Sequence, residues 1–120
     1  MDGLTTFTAA YIAALLWSTN DPDDETPLDD HFYGRPNEFD PATLEKIKAD
    51  CDKFLTDNAE DIKDLEEAGH DFALSRNGHG SGFFDRDNLS KPSRDRLQTA
   101  AENFGEFQLY VGDDGKLYAM

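Results

Sequence analysis

The sharpest folding instruction in this sequence is Asp40-Pro41. Aspartate accepts the free amide hydrogens of a helix start, and proline at the first helical position loses only an N–H that would be unpaired there anyway. From that point Leu44, Ile47, Cys51, Phe54 or Leu55, Ile62 and Leu65 keep a spacing of three or four residues, interrupted at Asn58. Gly69 supplies the stop. The segment is therefore expected to be helical, either as one long helix or as two pieces parted near Asn58.

A second helix precedes it, from about Thr6 to Trp17, with Thr5 or Thr6 as cap. Leu4, Phe7, Tyr11, Ala14 and Leu15 form its stripe, and Ile12 and Leu16 widen it, so the helix is mostly buried. A third, over about Ser93 to Phe104, follows Pro92 and ends at Gly105. After Gly69 the pattern reads differently. His70 to Arg76 has the look of a strand, Asn77-Gly78 is the strongest short hairpin signal, and His79 to Phe84 reads as the returning strand. Phe107 to Gly112 and Lys116 to Ala119 flank Asp113-Asp114-Gly115 as a second hairpin. The expected fold is α+β, a small antiparallel sheet of about four strands in two hairpins packed against two or three helices. The alternative is two unjoined hairpins on a helical core. At 120 residues the chain suits a single domain spanning 1–120, with an acidic loop at about 18–39.

Composition bears on what the domain can touch. The chain has 26 Asp and Glu against 11 Lys and Arg, a formal net charge of -15. That balance argues against direct contact with nucleic acid, whose ligands concentrate Lys and Arg, and against docking on an anionic membrane. Nine Phe, four Tyr and one Trp offset the polar bias, so the chain is expected to fold. The apolar run Phe7 to Trp17 is too short to span a bilayer and does not read as a signal peptide. One cysteine, Cys51, excludes an internal disulfide and lies on the apolar stripe, where it reads as core.

The charge is concentrated. Residues 21–69 hold 17 acidic and 5 basic side chains, and Asp21 to Asp30 alone holds six carboxylates and no cation. A calcium loop starting at Asp21 fails, because Thr26 stands where glycine is needed and Phe32 where the bidentate acid belongs. A binding face is the better expectation: Asp23, Asp24, Glu25, Asp29 and Asp30 on the loop, with Asp50, Asp57, Asp61 and Asp64 on neighbouring turns of the helix. Carboxylates about 6 Å apart on successive turns are spaced much as phosphates on a strand, so such a row suits a basic nucleic-acid-binding channel. An ordinary solvated helix with ion pairs Glu45/Lys48, Asp50/Lys53 and Glu60/Lys63 would carry the same residues.

The alternative site is the hairpin, where His70, Arg76, Asn77, His79, Phe83 and Asp85 would bind a ligand or a partner protein. His70 and His79 would stand roughly 20 Å apart at strand rise, too far to share a metal. His70 would then pair with Asp85, and the glycines would serve only the turn. Gly78-x-Gly80-x-Gly82 is not followed by a helix and makes a poor phosphate loop. Neither a metal, a cofactor nor a catalytic set is expected.

The run His70-Asp71-Phe72-x-Leu74-x-Arg76-Asn77-Gly78-His79-Gly80-x-Gly82-Phe83-x-Asp85-Arg86 resembles a family of small acidic proteins of bacteriophages and prophages. The later Phe104-Gly105-Glu106 and Tyr110 to Gly115, and the N-terminal Thr8 to Ser18 helix, share in the resemblance. Family members often carry Trp where this chain has Ala73 and Phe84. The family has no assigned enzymatic activity, so the resemblance implies a phage origin and a cytoplasmic setting. Small acidic phage proteins commonly inhibit host machinery, as antirestriction and anti-CRISPR proteins do. The functional expectation is a non-enzymatic accessory protein that presents an acidic, nucleic-acid-mimicking face to a basic surface of a host protein.

Overall fold

The computed structural model describes residues 5–20, 25–78 and 82–120. Thr5 caps the first helix, α1 (Thr6–Ser18), its side chain accepting from the Thr8 amide. Asp40 does the same for α2 (Pro41–Asp57) through the Thr43 amide. That helix stops at Asn58, whose side-chain amide donates to the Phe54 carbonyl and so competes with continuation of the backbone ladder. The break near Asn58 is thus real. A short 3₁₀ turn, Ala59–Asp61, follows.

Four-strand sheet and first hairpin are both overturned. Residues Leu65–Arg76 form a helix, α3, capped by Asp64 with Glu66 and Glu67 in its first turn. Leu65, Ala68, Gly69, Phe72, Ala73 and Arg76 fall at helical spacing, and that periodicity competes with the strand alternation over the same residues. Acids after an Asp cap complement the helix dipole. Asn77-Gly78 is the end of this helix and not a hairpin turn: Gly78 takes φ +64°, the left-handed conformation that both structures require of glycine. Gly69, expected to end the helix at 41–69, sits instead inside α3. Phe83–Asp85 is a 3₁₀ turn. The expected partner strand at His79 to Phe84 falls partly on residues outside those described.

Ser90 caps α4 (Lys91–Asn103), two residues before the expected start, with Pro92 within its first turn. The second hairpin is present. Strands β1 (Leu109–Val111) and β2 (Leu117–Ala119) pair antiparallel, with Tyr110 opposite Tyr118. They are the only sheet among the described residues. The hairpin is tied to the start of α2, where the Asp40 amide donates to the Leu117 carbonyl and the Ala119 amide to Thr43 Oγ1. Among the described residues the fold is mostly helical, four helices around an aromatic core.

That core is centred where α1 crosses α3. Phe54 and Phe72 stack with ring centroids 4.2 Å apart, and Phe7, Tyr11, Phe83 and Phe104 pack around them. The crossing is close because Gly69 faces α1. A Cβ at this position would run into the Phe7 carbonyl oxygen. Gly69→Ala is therefore expected to destabilise the protein by about 1–3 kcal/mol, despite alanine's better helix propensity. Chemical denaturation checks this, and a stabilised variant would show that the helices are not pressed together there.

Candidate functional site

The acidic residues do not form one row. Asp50, expected on the outer face of the helix, is buried. It accepts from Lys46 Nζ at 2.8 Å and from Arg76 Nη1 at 3.0 Å. Its place in the heptad-like series beside Ile47, Cys51 and Phe54 turns it inward, and burial of a carboxylate requires a cation. Asp57 ends α2 and pairs with Lys53 at 2.9 Å. Asp61 lies in the 3₁₀ turn and holds Arg96 through two bonds, at 2.6 and 2.8 Å, while accepting from Ser93. The bonds from Arg96 hold the Asp61 carboxyl below its ordinary range. Asp64 caps α3 by accepting from the Glu67 amide. Because the chain breaks at Asn58, these carboxylates belong to three separate elements, and the single helical row is corrected to a broken surface.

Glu25, Asp29 and Asp30 are exposed, the last two on a 3₁₀ turn, Leu28–Asp30, that Leu28 anchors in the core. Asp23 and Asp24 lie outside the described residues. Glu38, in the same region, is consumed locally by the amides of Tyr33, Gly34 and Arg35. Among the described residues Asp29, Asp30, Glu60 and Glu66 make no ion pair.

Two residues of the alternative site, Arg76 and Phe83, are interior. Arg76 is 4% exposed. Its Nε donates to the Gly105 carbonyl at 2.8 Å, Nη1 to Tyr11 Oη and Asp50, and Nη2 to the Phe104 carbonyl. The guanidinium also lies 5.2–5.5 Å from the rings of Phe72, Phe104 and Phe107. It joins α1, α2, α3 and the end of α4 and has its donors turned away from solvent. Asn77 pairs with both backbone groups of Phe107. Phe83 is buried, its amide held by Ser75 Oγ, which in turn donates to Gln98. Asp85 is exposed, and His79 lies outside the described residues. The expected partner of His70 was Asp85; in the structure its Nδ1 stands 3.2 Å from Asp71 Oδ1. With α3 in place of a strand, the two-residue pairing that set His70 opposite Asp85 does not exist.

Three residues outside the expected sites, Asp71, Arg86 and Trp17, complete the picture. Asp71 is 2% exposed and is held by Arg86 through two bonds, at 2.6 and 2.9 Å. Arg86 also reaches Glu67 at 3.3 Å. Trp17 is half-exposed, its ring 6.1 Å from that of His70. Ala9, Ala13 and Trp17 are the exposed strip of α1, spaced by four, which is a legible signal. The Asp71–Arg86 pair leaves none, since its members are 15 residues apart. Cys51 is buried as expected, and burial pushes its thiol up to about 12. Among the described residues no group of three or more His, Cys, Asp or Glu side chains is arranged to hold a metal ion, and no helix is long and apolar enough to cross a membrane.

No protein-family model, curated protein or solved structure matches the chain.

Proposed function

We propose that this is a non-enzymatic phage accessory protein that inhibits a nucleic-acid-handling or defence complex of the host, working in the cytoplasm through its acidic surface. The observation that carries this reading is where the charge is cancelled. Among the described residues the two buried carboxylates, Asp50 and Asp71, have arginine partners, Arg76 and Arg86, so the core consumes acid and base together and contributes nothing to the net charge of -15. Among the described residues Asp29, Asp30, Glu60 and Glu66 add to it without an ion pair. A surface of this kind attracts a basic channel from a distance and repels nucleic acid.

The test is capture of binding proteins from host extract at two salt concentrations. Screening shortens from about 8 Å at 0.15 M to about 3 Å at 1 M, so bound nucleic-acid-handling proteins should be retained at the first and released at the second. Reversal of Asp29, Asp30, Glu60 and Glu66 to lysine should abolish capture. None of the four makes an ion pair or side-chain hydrogen bond among the described residues, and reversal of Glu66 in the first turn of α3 costs only about 1 kcal/mol, so the variant should fold. Capture that survives either change contradicts the reading.

A further inference from the structure

We infer that the groove beside Trp17 and His70 is the docking site for an arginine side chain of the partner's basic segment. This rests on the acidic-surface reading and narrows it to one place. The groove, about 290 Å³, is floored by Ala13 and Ala14 of α1 and bounded by Trp17, His70 and Asp29. His70 also lines a neighbouring concavity of about 340 Å³ with Asp64, Glu66, Glu67 and Arg86. The two depressions thus form a strip across α1 and the N-terminal half of α3, with carboxylates at both ends.

Three properties select the occupant. Trp17, the chain's single tryptophan, is 51% exposed, and it borders the groove, whereas the other exposed large apolar side chains, Tyr33, Leu65, Phe84, Tyr110 and Met120, do not. Exposed tryptophan bounded by polar groups is typical of the energetic centre of an interface. The nearby carboxylates differ in availability: Arg86 already holds Asp71 and Glu67, and Asp64 caps α3, whereas Asp29 and Glu66 make no ion pair among the described residues. An incoming cation is the complement. Arginine fits better than lysine because a planar guanidinium stacks on an indole and presents two parallel N–H groups to a carboxylate. At about 290 Å³ the groove falls just below the range for metabolite pockets, about 300–1,000 Å³, and suits a side chain more than a whole ligand. A second copy of this strongly acidic chain would be repelled.

Because Trp17 is the only tryptophan, its fluorescence reports docking directly. The probe is an eight-residue peptide of alternating arginine and glycine. Its titration should shift the Trp17 emission and saturate, with at least about threefold tighter binding than the lysine–glycine counterpart. Trp17→Ala should weaken binding of a labelled peptide about tenfold, and Asp29→Lys with Glu66→Lys should do so further. Asp113→Lys, on the turn between β1 and β2 and outside both depressions, should change it by less than about twofold. Equal affinity for the arginine and lysine peptides, an unresponsive Trp17, full binding by Trp17→Ala, or self-association through Trp17 in sedimentation would overturn the groove assignment. Host capture separates this failure from that of the broader reading: if Trp17→Ala captures normally and the four-residue reversal does not, the acidic surface stands and the groove falls.

Discussion

Replacing Arg76 with methionine is expected to cost about 3–5 kcal/mol of folding stability, which for a domain this size lowers the thermal midpoint by roughly 10–20 °C. The substitution removes the cation opposite Asp50, a carboxylate 6% exposed, and leaves it only Lys46, whose side chain lies largely in solvent. It also strips the donor from the carbonyls of Phe104 and Gly105 and from Tyr11 Oη. Arg76→Lys should fare little better, since a single ammonium cannot reach acceptors on several elements at once. The informative case is the double variant. Arg76→Met with Asp50→Leu removes both charges, so it should lose about 1–3 kcal/mol less than the sum of the single changes. Denaturant unfolding of the four proteins measures this. Additive losses would mean that the pair is not the link between α2 and α3.

Phe72→Ala is the second large effect, about 3–5 kcal/mol. Its ring is fully enclosed, stacked on Phe54, set edge-on to Phe104 at 5.1 Å and tilted against Tyr11 at 5.2 Å. Truncation therefore empties the centre of the aromatic cluster and leaves the faces of at least three rings against a void. Phe84→Ala supplies the contrast. That ring is 46% exposed, and its loss should stay within about 0.5 kcal/mol. If the two substitutions cost the same, the core is not built around α3 as described.

Both predictions turn on α3, the element the sequence misrepresents. A helix and a strand share the apolar residues of 70–76, because Phe72 and Leu74 alternate while Gly69, Phe72, Ala73 and Arg76 keep helical spacing. Asn77-Gly78 does not decide between them, since a left-handed glycine ends helices as well as turning hairpins. The Asp64 cap with Glu66 and Glu67 behind it is the signal that separates the two, and it lies just upstream of the ambiguous stretch. Where caps and periodicity agree the reading holds: α1, the start of α2 and the second hairpin were legible, while the interruption at Asn58 left a continuous and a broken helix both open.

The site was legible in composition more than in place. The concentration of acid was plain, but the sorting of acids was not. Asp50 looks like any surface acid of an i, i+4 series, and its inward turn depends on Arg76, 26 residues away. Arg76 itself occupies a position of the core stripe, where a charged residue reads as exposed until its partner is known. Asp61 and Asp64 serve the joint between α2 and α3, so they are poor choices for testing a binding face, and the exposed Asp29, Asp30, Glu60 and Glu66 replace them.

The central claim is that this acidic surface occupies the place of nucleic acid on a basic partner. Titration of duplex DNA into the complex of this protein with its captured partner tests it most directly. The account predicts one-for-one displacement, with the protein in turn inhibiting DNA binding by the partner, and loss of both effects in the four-residue reversal. A ternary complex that holds DNA and this protein together, unchanged by the reversal, would contradict it.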